Sequence, residues 1–141
     1  MWLYKEELIN DINQVPQGAY GFIYLLTNIE TSKIYIGKKN LYSERTKLLG
    51  KKELAALTDK RSSKKKKVIK ESDWINYNSS NKQILLEIEQ GASFRREILA
   101  FCYNKRNLTY LEVKLQFDYN VLVINSYNDN ILGKFYRNSI I

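Results

Sequence analysis

The side chains that could perform chemistry in this chain are tyrosines, lysines, arginines and carboxylates. Its 141 residues include 11 Tyr, no His and one Cys, Cys102. Without histidine there is no Ser-His-Asp triad, no histidine general base or acid and no His-ligated zinc or haem. A lone cysteine forms neither an internal disulfide nor a zinc knuckle. Any hydrolytic reaction would therefore use tyrosine, lysine, arginine and carboxylate side chains, together with a hard metal ion.

Two of the tyrosines, Tyr24 and Tyr35, lie in neighbouring runs of strand-forming residues. Residues 20–27 are rich in β-forming types and residues 33–38 alternate strictly, with a polar stretch between them. This pattern predicts an antiparallel hairpin. If the aliphatic residues of both strands pack on the core, both tyrosines lie on the same side of the sheet. Gly37 would then leave a dip beside Tyr35 into which a ligand backbone could approach.

The other predicted elements complete a small α/β (α+β) domain that spans residues 1–141. We expect a three-stranded antiparallel sheet flanked by helices. The predicted elements are a short N-terminal helix over 3–13, a helix over 41–49, a helix from about 80 to Gly91, a third strand over 94–101 and a helix over 107–120.

A basic insert at about residues 46–72 interrupts this domain. The net charge of the chain is +8, and 13 of its 23 Lys and Arg lie between residues 38 and 70, against three of its 15 acids. The run 64–67 has no apolar period and is expected to be solvated and mobile. The charge favours binding to the phosphates of nucleic acid, and an ordinary soluble loop is the alternative. The predicted DNA-binding residues are Lys38, Lys39, Lys51, Lys52, Lys64, Lys65, Lys66 and Lys67.

The hairpin carries a paired motif that resembles the GIY-YIG nuclease superfamily. Phe22-Ile23-Tyr24 stands for the first half of the motif and Tyr35-Ile36-Gly37 for the second. Phe22 replaces the usual glycine, and a glycine lies one residue earlier. Further matches follow in order, and together they make the chain similar to phage-encoded members over roughly residues 18–135. These matches are Arg45, Glu112 and Tyr127-Asn128.

The resemblance implies a metal-dependent DNA endonuclease and a role for each matched residue. Tyr24 would activate the attacking water or be the base itself. Because a free tyrosine has a pKa near 10, this role needs positive neighbours such as Lys33 and Lys38, a metal-bound water, or both. Tyr35 would position the water and pack under the scissile phosphate. The remaining roles are a phosphate clamp for Arg45 (with Arg61 as its substitute), a Mg²⁺ ligand for Glu112 (with Glu97 as its substitute) and phosphate or water positioning for Asn128. Mn²⁺ is expected to support the same reaction in place of Mg²⁺.

Structural explanations compete with these roles. Tyr24 and Tyr35 could be ordinary strand tyrosines, Asn128 could form a turn, and Thr109-Tyr110-Leu111-Glu112 has the spacing of a capping box. Glu112-Val113-Lys114 also matches an E-x-K signature that chelates metal from a strand in other nucleases. The main functional alternative is a basic nucleic-acid-binding module without catalysis.

The expected biological setting follows from the same resemblance. It implies a phage or mobile-element enzyme, either a homing endonuclease or one that attacks competing DNA, in the cytoplasm of a bacterial host. No apolar run approaches the length of a membrane span, so no membrane is expected. Because one active site cuts one strand, a double-strand break would need a homodimer or two visits. Sequence specificity would come from this small domain, from a dimer or from a DNA-targeting partner.

Overall fold

The structure, a computed structural model, describes residues 1–58 and 64–140. This part of the chain forms two compact units, one made of Met1–Leu41 with Asp73–Ile141 and the other of Tyr42–Ser72. Arg61, the predicted substitute for Arg45, lies outside the described residues. In chain order the strands and helices are β1 Trp2–Tyr4, β2 Glu7–Ile9, β3 Gly21–Asn28, β4 Ile34–Asn40, β5 Tyr42–Leu48, α1 Lys51–Ala55, β6 Lys65–Glu71, α2 Lys82–Glu89, β7 Phe94–Cys102, α3 Lys105–Asp118, β8 Asn130–Ile131, β9 Phe135–Tyr136 and α4 Arg137–Ile140.

The first unit is built around a five-stranded sheet with the order β2-β1-β7-β3-β4. Its strand pairs are antiparallel except for β1 and β7, which are parallel with Leu3 opposite Glu97. Helix α3 packs on one face against β3, β4 and β7. The other face is covered by Ile84 of α2 and by Trp74, which lies in a short 3₁₀ turn. The mixed α/β class is as predicted, but the sheet has five strands rather than three.

The two additional strands come from the N-terminus, where a helix over 3–13 was predicted. This prediction is wrong, because the segment forms a β-hairpin in which Trp2 pairs with Ile9. The turn between its strands uses Lys5 and Glu6, both with positive φ (48° and 69°). Neither is a residue type that favours this conformation, so the usual sequence signal of such a turn is missing. Burial of the Trp2 ring, whose Nε1–H donates to the Trp74 carbonyl at 2.7 Å, favours the strand.

The central hairpin confirms the predicted sorting of side chains. Tyr24 is opposite Gly37 in the ladder, so these residues share a face with Tyr35. On that face an aromatic cluster surrounds Phe22 and Trp2, whose ring centroids are 5.1 Å apart. The opposite face carries the aliphatic residues of both strands, which pack with α3; these are Ile23, Leu25, Ile34 and Ile36. The alternation of the two strands thus separates an aromatic core from an aliphatic one.

The second unit is an antiparallel ribbon of β5 and β6, with α1 between them in the chain. The predicted helix over 41–49 is wrong, because Arg45 lies on β5 opposite Val68. The lysine run was expected to be mobile, yet Lys65, Lys66 and Lys67 form the first half of β6. They pair with Leu48, Lys47 and Thr46 in order. A strand exposed on both faces needs no apolar alternation, so the sequence period gave no sign of it.

Candidate active site

The two motif tyrosines, Tyr24 of β3 and Tyr35 of the edge strand β4, lie side by side with their rings tilted by 41°. Their ring centroids lie 6.1 Å apart. Tyr24 is 1% exposed, whereas Tyr35 is partly exposed. Burial raises the pKa of both hydroxyl groups, and hydrogen bonding from Ser79 opposes the rise in each case. Both phenols are therefore neutral, and Tyr35 is the one with surface available to a substrate.

Gly37 is required where the Tyr24 ring crosses β4. A Cβ atom at this position would lie 2.5 Å from Tyr24 Oη and 2.9 Å from Tyr35 Cε1. The predicted dip for a ligand backbone is therefore wrong, because the Tyr24 hydroxyl fills that space. The absence of a side chain at Gly37 therefore makes room for the tyrosine pair rather than for a ligand.

We predict that Gly37→Ala destabilises the protein by about 1–3 kcal/mol, the usual range for forcing an extra carbon into a packed core. The same change should impair cleavage because it moves both phenols. Urea unfolding measures the first effect, and Gly50→Ala is the matched control because its Cβ would meet only Glu53 Oε1, at 3.7 Å. Equal unfolding midpoints for Gly37→Ala and the unchanged protein would contradict the prediction.

Tyr35 borders a polar cleft of about 400 Å³. The opposite wall is helix α3, which contributes Thr109, Glu112 and Gln116 at helical spacing. The remaining lining residues come from β4, the start of α2 and the segment after α3; they are Lys38, Asn81, Tyr127, Asn128, Asp129, Asn130 and Leu132. The cleft thus brings together four of the predicted site residues, Tyr35, Lys38, Glu112 and Asn128.

Glu112 is a half-buried carboxylate on the cleft wall. Its side chain is 18% exposed, and the Lys38 Nζ atom lies 3.9 Å from its Oε1 atom. Burial raises the pKa of Glu112, and the Lys38 ammonium acts in the opposite direction. Lys38 Nζ also donates to Thr109 Oγ1 at 3.1 Å. The carboxylate is therefore held next to one ammonium group, outside direct hydrogen-bond distance of it.

Two alternative explanations for Glu112 are excluded by its position in α3. The N-cap of this helix is Asn104, whose side chain accepts from the Asn107 amide at 2.8 Å. Thr109 and Glu112 therefore lie within the helix and form no capping box. Because Glu112 and Lys114 are helical, they also cannot form an E-x-K signature that chelates metal from a strand.

Asn128 secures the free edge of β4 rather than pointing a free amide into the cleft. Its Oδ1 atom accepts from the Ile36 amide at 3.0 Å, and its Nδ2 atom donates to the Ile36 carbonyl at 2.9 Å. Gln116 Nε2 donates to the same carbonyl at 3.1 Å, and the Tyr127 amide donates to the Ile34 carbonyl at 2.8 Å. Asn128 is 4% exposed. It thus fixes the strand that carries Tyr35.

Two predicted lysines are engaged away from the Tyr35–Glu112 cleft. Lys33 Nζ lies 4.4 Å from the centroid of the Tyr127 ring and borders a neighbouring polar cleft. Lys39 Nζ is 2.6 Å from Asp73 Oδ1 and 4.0 Å from the centroid of the Tyr77 ring. The Lys39 side chain is only 17% exposed, because the ion pair and the Tyr77 ring cover most of it.

The remaining predicted residues lie on β7 and in the second unit. Glu97, the substitute metal ligand, is on β7 and its Oε1 atom is 3.1 Å from Arg95 Nε. Arg45 is exposed on β5 of the second unit, where Lys51 and Lys52 of α1 and Lys64 to Lys67 are also exposed. Sequence reasoning missed Ser79, Gln116 and Arg137. Gln116 follows Glu112 by one helical turn, so the spacing could have identified it. Ser79 lies in a loop and Arg137 at the start of the short helix α4, and neither carried such a signal.

Arg137 supports the segment that closes the cleft. Its guanidinium donates to several main-chain carbonyls, among them Val121 at 2.5 Å, Ile124 at 2.6 Å and Asn128 at 2.7 Å. Its Nη2 atom also donates to Ser126 Oγ at 2.7 Å. This single side chain therefore holds the loop that presents Tyr127 and Asn128 to β4.

The fold and the cleft define an α/β domain with a tyrosine pair, a carboxylate and a lysine at one site. Residues 2–141 match the family described as "Putative endonuclease segE, GIY-YIG domain". The chain belongs to this family of GIY-YIG endonucleases, and membership confirms the resemblance and implies nuclease activity on DNA. No curated protein and no solved structure matches the chain significantly. Among the described residues no helix is long and apolar enough to cross a membrane.

Proposed function

We propose that this protein is a metal-dependent DNA endonuclease that hydrolyses a phosphodiester bond in the cleft beside Tyr35. The observation that carries the proposal is the placement of Tyr35, Lys38 and Glu112 around one polar cleft of about 400 Å³. A carboxylate, an ammonium and a phenol are the groups needed to hold a cation, to bind a phosphate and to position water.

The cleft fits a hard divalent cation, with Glu112 as its protein ligand. Mg²⁺ commonly uses one or two carboxylates and completes its octahedron with water and substrate phosphates. Glu112 suits this pattern, since its carboxylate faces a polar cleft and contacts no cation closer than 3.9 Å among the described residues. In the same part of the chain no three His, Cys, Asp or Glu cluster to hold a metal, so water and phosphate would complete the set. When bound, Mg²⁺ or Mn²⁺ would neutralise charge on the phosphate.

The two tyrosines have different roles in this proposal. Tyr35 faces the cleft and would orient the attacking water through its hydroxyl group. Tyr24, being 1% exposed, would be a positioning residue that fixes the Tyr35 ring from behind. Lys38, on the same strand, would bind a phosphate oxygen and favour deprotonation of the water by its charge.

The proposal also includes contacts to DNA outside the cleft and a biological setting. Arg45 would bind a phosphate oxygen, as the family resemblance implies. The basic insert would hold the duplex through its phosphates. The setting would be a phage or mobile element in a bacterial cytoplasm, with a homing role or an attack on competing DNA. A homodimer would allow both strands to be cut, and a DNA-targeting partner would supply sequence specificity.

Cleavage of supercoiled plasmid and phage genomic DNA by the purified protein tests the proposal. We expect conversion of plasmid to open circles or linear DNA with Mg²⁺ or Mn²⁺, and none with EDTA. Salt-sensitive DNA binding without cleavage of any of these DNAs would instead favour the non-catalytic binding module.

A further inference from the structure

The ribbon of the second unit has two chemically different faces. Opposed residues of an antiparallel pair share a face, and neighbours along a strand alternate. The register of β5 and β6 therefore assigns every residue of the ribbon. One face, called here the cationic face, consists of Ser43, Arg45, Lys47, Lys66, Val68 and Lys70. The other, called here the mixed face, consists of Tyr42, Glu44, Thr46, Leu48, Lys65, Lys67, Ile69 and Glu71.

Charge is concentrated on the cationic face. β5 and β6 together contribute four cationic side chains to this face and no acidic one; the four are Arg45, Lys47, Lys66 and Lys70. The mixed face carries two lysines and two glutamates, so its charges cancel, and its Leu48 and Ile69 are 75% and 65% exposed. The lysine run is thus divided by the pleat, with Lys66 on one face and its neighbours Lys65 and Lys67 on the other.

The cationic face is electrostatically unfavourable for the ribbon alone. Lys47 is directly opposite Lys66, and like charges in opposed positions destabilise a strand pair. One carboxylate relieves part of this repulsion, since Glu53 Oε1 of α1 lies 2.7 Å from Lys66 Nζ. The remaining cations of this face are exposed, as is expected of a surface whose charge is neutralised by a bound polyanion.

We infer that the cationic face, and not the mixed face, contacts the phosphate backbone of double-stranded DNA. This inference rests on the proposed function for the identity of the polyanion. A two-stranded ribbon fits the major groove of B-DNA, and lysine and arginine are the usual phosphate ligands. Cations two residues apart on one strand repeat every 6.6 Å or so along the ribbon. Arg45 lies in the middle of this face, so its predicted phosphate contact belongs to the same surface.

Two double variants that remove equal charge from the same ribbon test the inference. Lys47→Gln with Lys70→Gln changes the cationic face and leaves the Lys66–Glu53 ion pair intact. Lys65→Gln with Lys67→Gln is the matched control on the mixed face. Anisotropy of a labelled duplex, titrated in EDTA over a range of salt concentrations, measures binding without cleavage. Circular dichroism confirms that both variants fold.

We expect the cationic-face variant to bind about tenfold to a hundredfold more weakly, and its log Kd against log salt slope to fall by about two. The control should change by less than about threefold. Equal losses in both variants, or no loss in either, would overturn the inference, as would tighter binding of the unchanged protein to duplex RNA than to DNA. Because no cleavage is measured, a protein that fails the plasmid assay still gives an independent answer here.

Discussion

Replacing Glu112 with Gln should reduce metal-dependent cleavage by about a thousandfold or more, the scale expected when several kcal/mol of transition-state charge stabilisation are lost. The substitution keeps the shape of the side chain and removes its charge. Its ion pair with Lys38 spans 3.9 Å and is partly exposed, so the free energy of unfolding should change by less than about 1 kcal/mol. The loss would therefore report on metal binding rather than on folding.

Glu97→Gln is the control for this prediction, because Glu97 was the other candidate ligand and lies on β7 beside Arg95. Two measurements test the prediction: the cleavage rate at saturating Mg²⁺, and the binding of Mn²⁺ followed by electron paramagnetic resonance. Glu112→Gln should lose both cleavage and Mn²⁺ binding, whereas Glu97→Gln should keep both. DNA binding in EDTA should be the same in both variants. A Glu112→Gln protein that still binds Mn²⁺ and cuts at a normal rate would rule out Glu112 as the metal ligand.

The parts of the fold that the sequence predicted correctly have strong local patterns. The β3–β4 hairpin alternates through both motif halves, so the shared face of Tyr24 and Tyr35 follows from period two alone. The strand Phe94–Cys102 ends in a continuous apolar run, and the helix Lys105–Asp118 carries Leu108, Leu111 and Leu115 at helical spacing. For these elements the local preference and the final packing agree.

The parts that the sequence did not predict depend on contacts distant in the chain. The N-terminal hairpin forms because Trp2 packs in the aromatic core and bonds to Trp74, 72 residues away. The ribbon of β5 and β6 depends on pairing between strands that are separated by α1 in the chain, and the lysines of β6 have no strand preference. A short window of sequence contains neither the Trp2–Trp74 contact nor the pairing of the two ribbon strands, so local patterns could not predict these elements.

The candidate site was only partly predictable for a similar reason. The resemblance identified Tyr35 and Glu112, which the cleft brings together. It could not show that Asn128 bonds to the Ile36 main chain, because that contact depends on the loop held by Arg137. Lys38 and Lys39 are neighbours in sequence, but the pleat of β4 sends one to the cleft and the other to Asp73.

The second large effect is expected at the tyrosine pair, where the two hydroxyl groups should differ. Tyr35→Phe removes the phenol that faces the cleft and should lower the cleavage rate by about a hundredfold to a thousandfold, the scale expected when one hydrogen bond that orients a reacting group is lost. Tyr24→Phe keeps the buried ring and removes a hydroxyl that hydrogen-bonds with Ser79. Its effect should be nearer tenfold, since it acts only through the position of Tyr35.

Single-turnover cleavage rates for both variants at saturating protein distinguish these roles from weaker DNA binding. Tyr110→Phe is the matched control, because Tyr110 is 65% exposed on α3 and its hydroxyl has no place in the proposed chemistry. Urea unfolding should show a larger loss of stability for Tyr24→Phe than for Tyr35→Phe, because Tyr24 is 1% exposed and its lost hydrogen bond is fully buried, whereas water can reach the partly exposed Tyr35 side chain. If Tyr24→Phe instead slows cleavage more than Tyr35→Phe while the stabilities remain equal, then the buried tyrosine contacts the water directly and the roles must be exchanged.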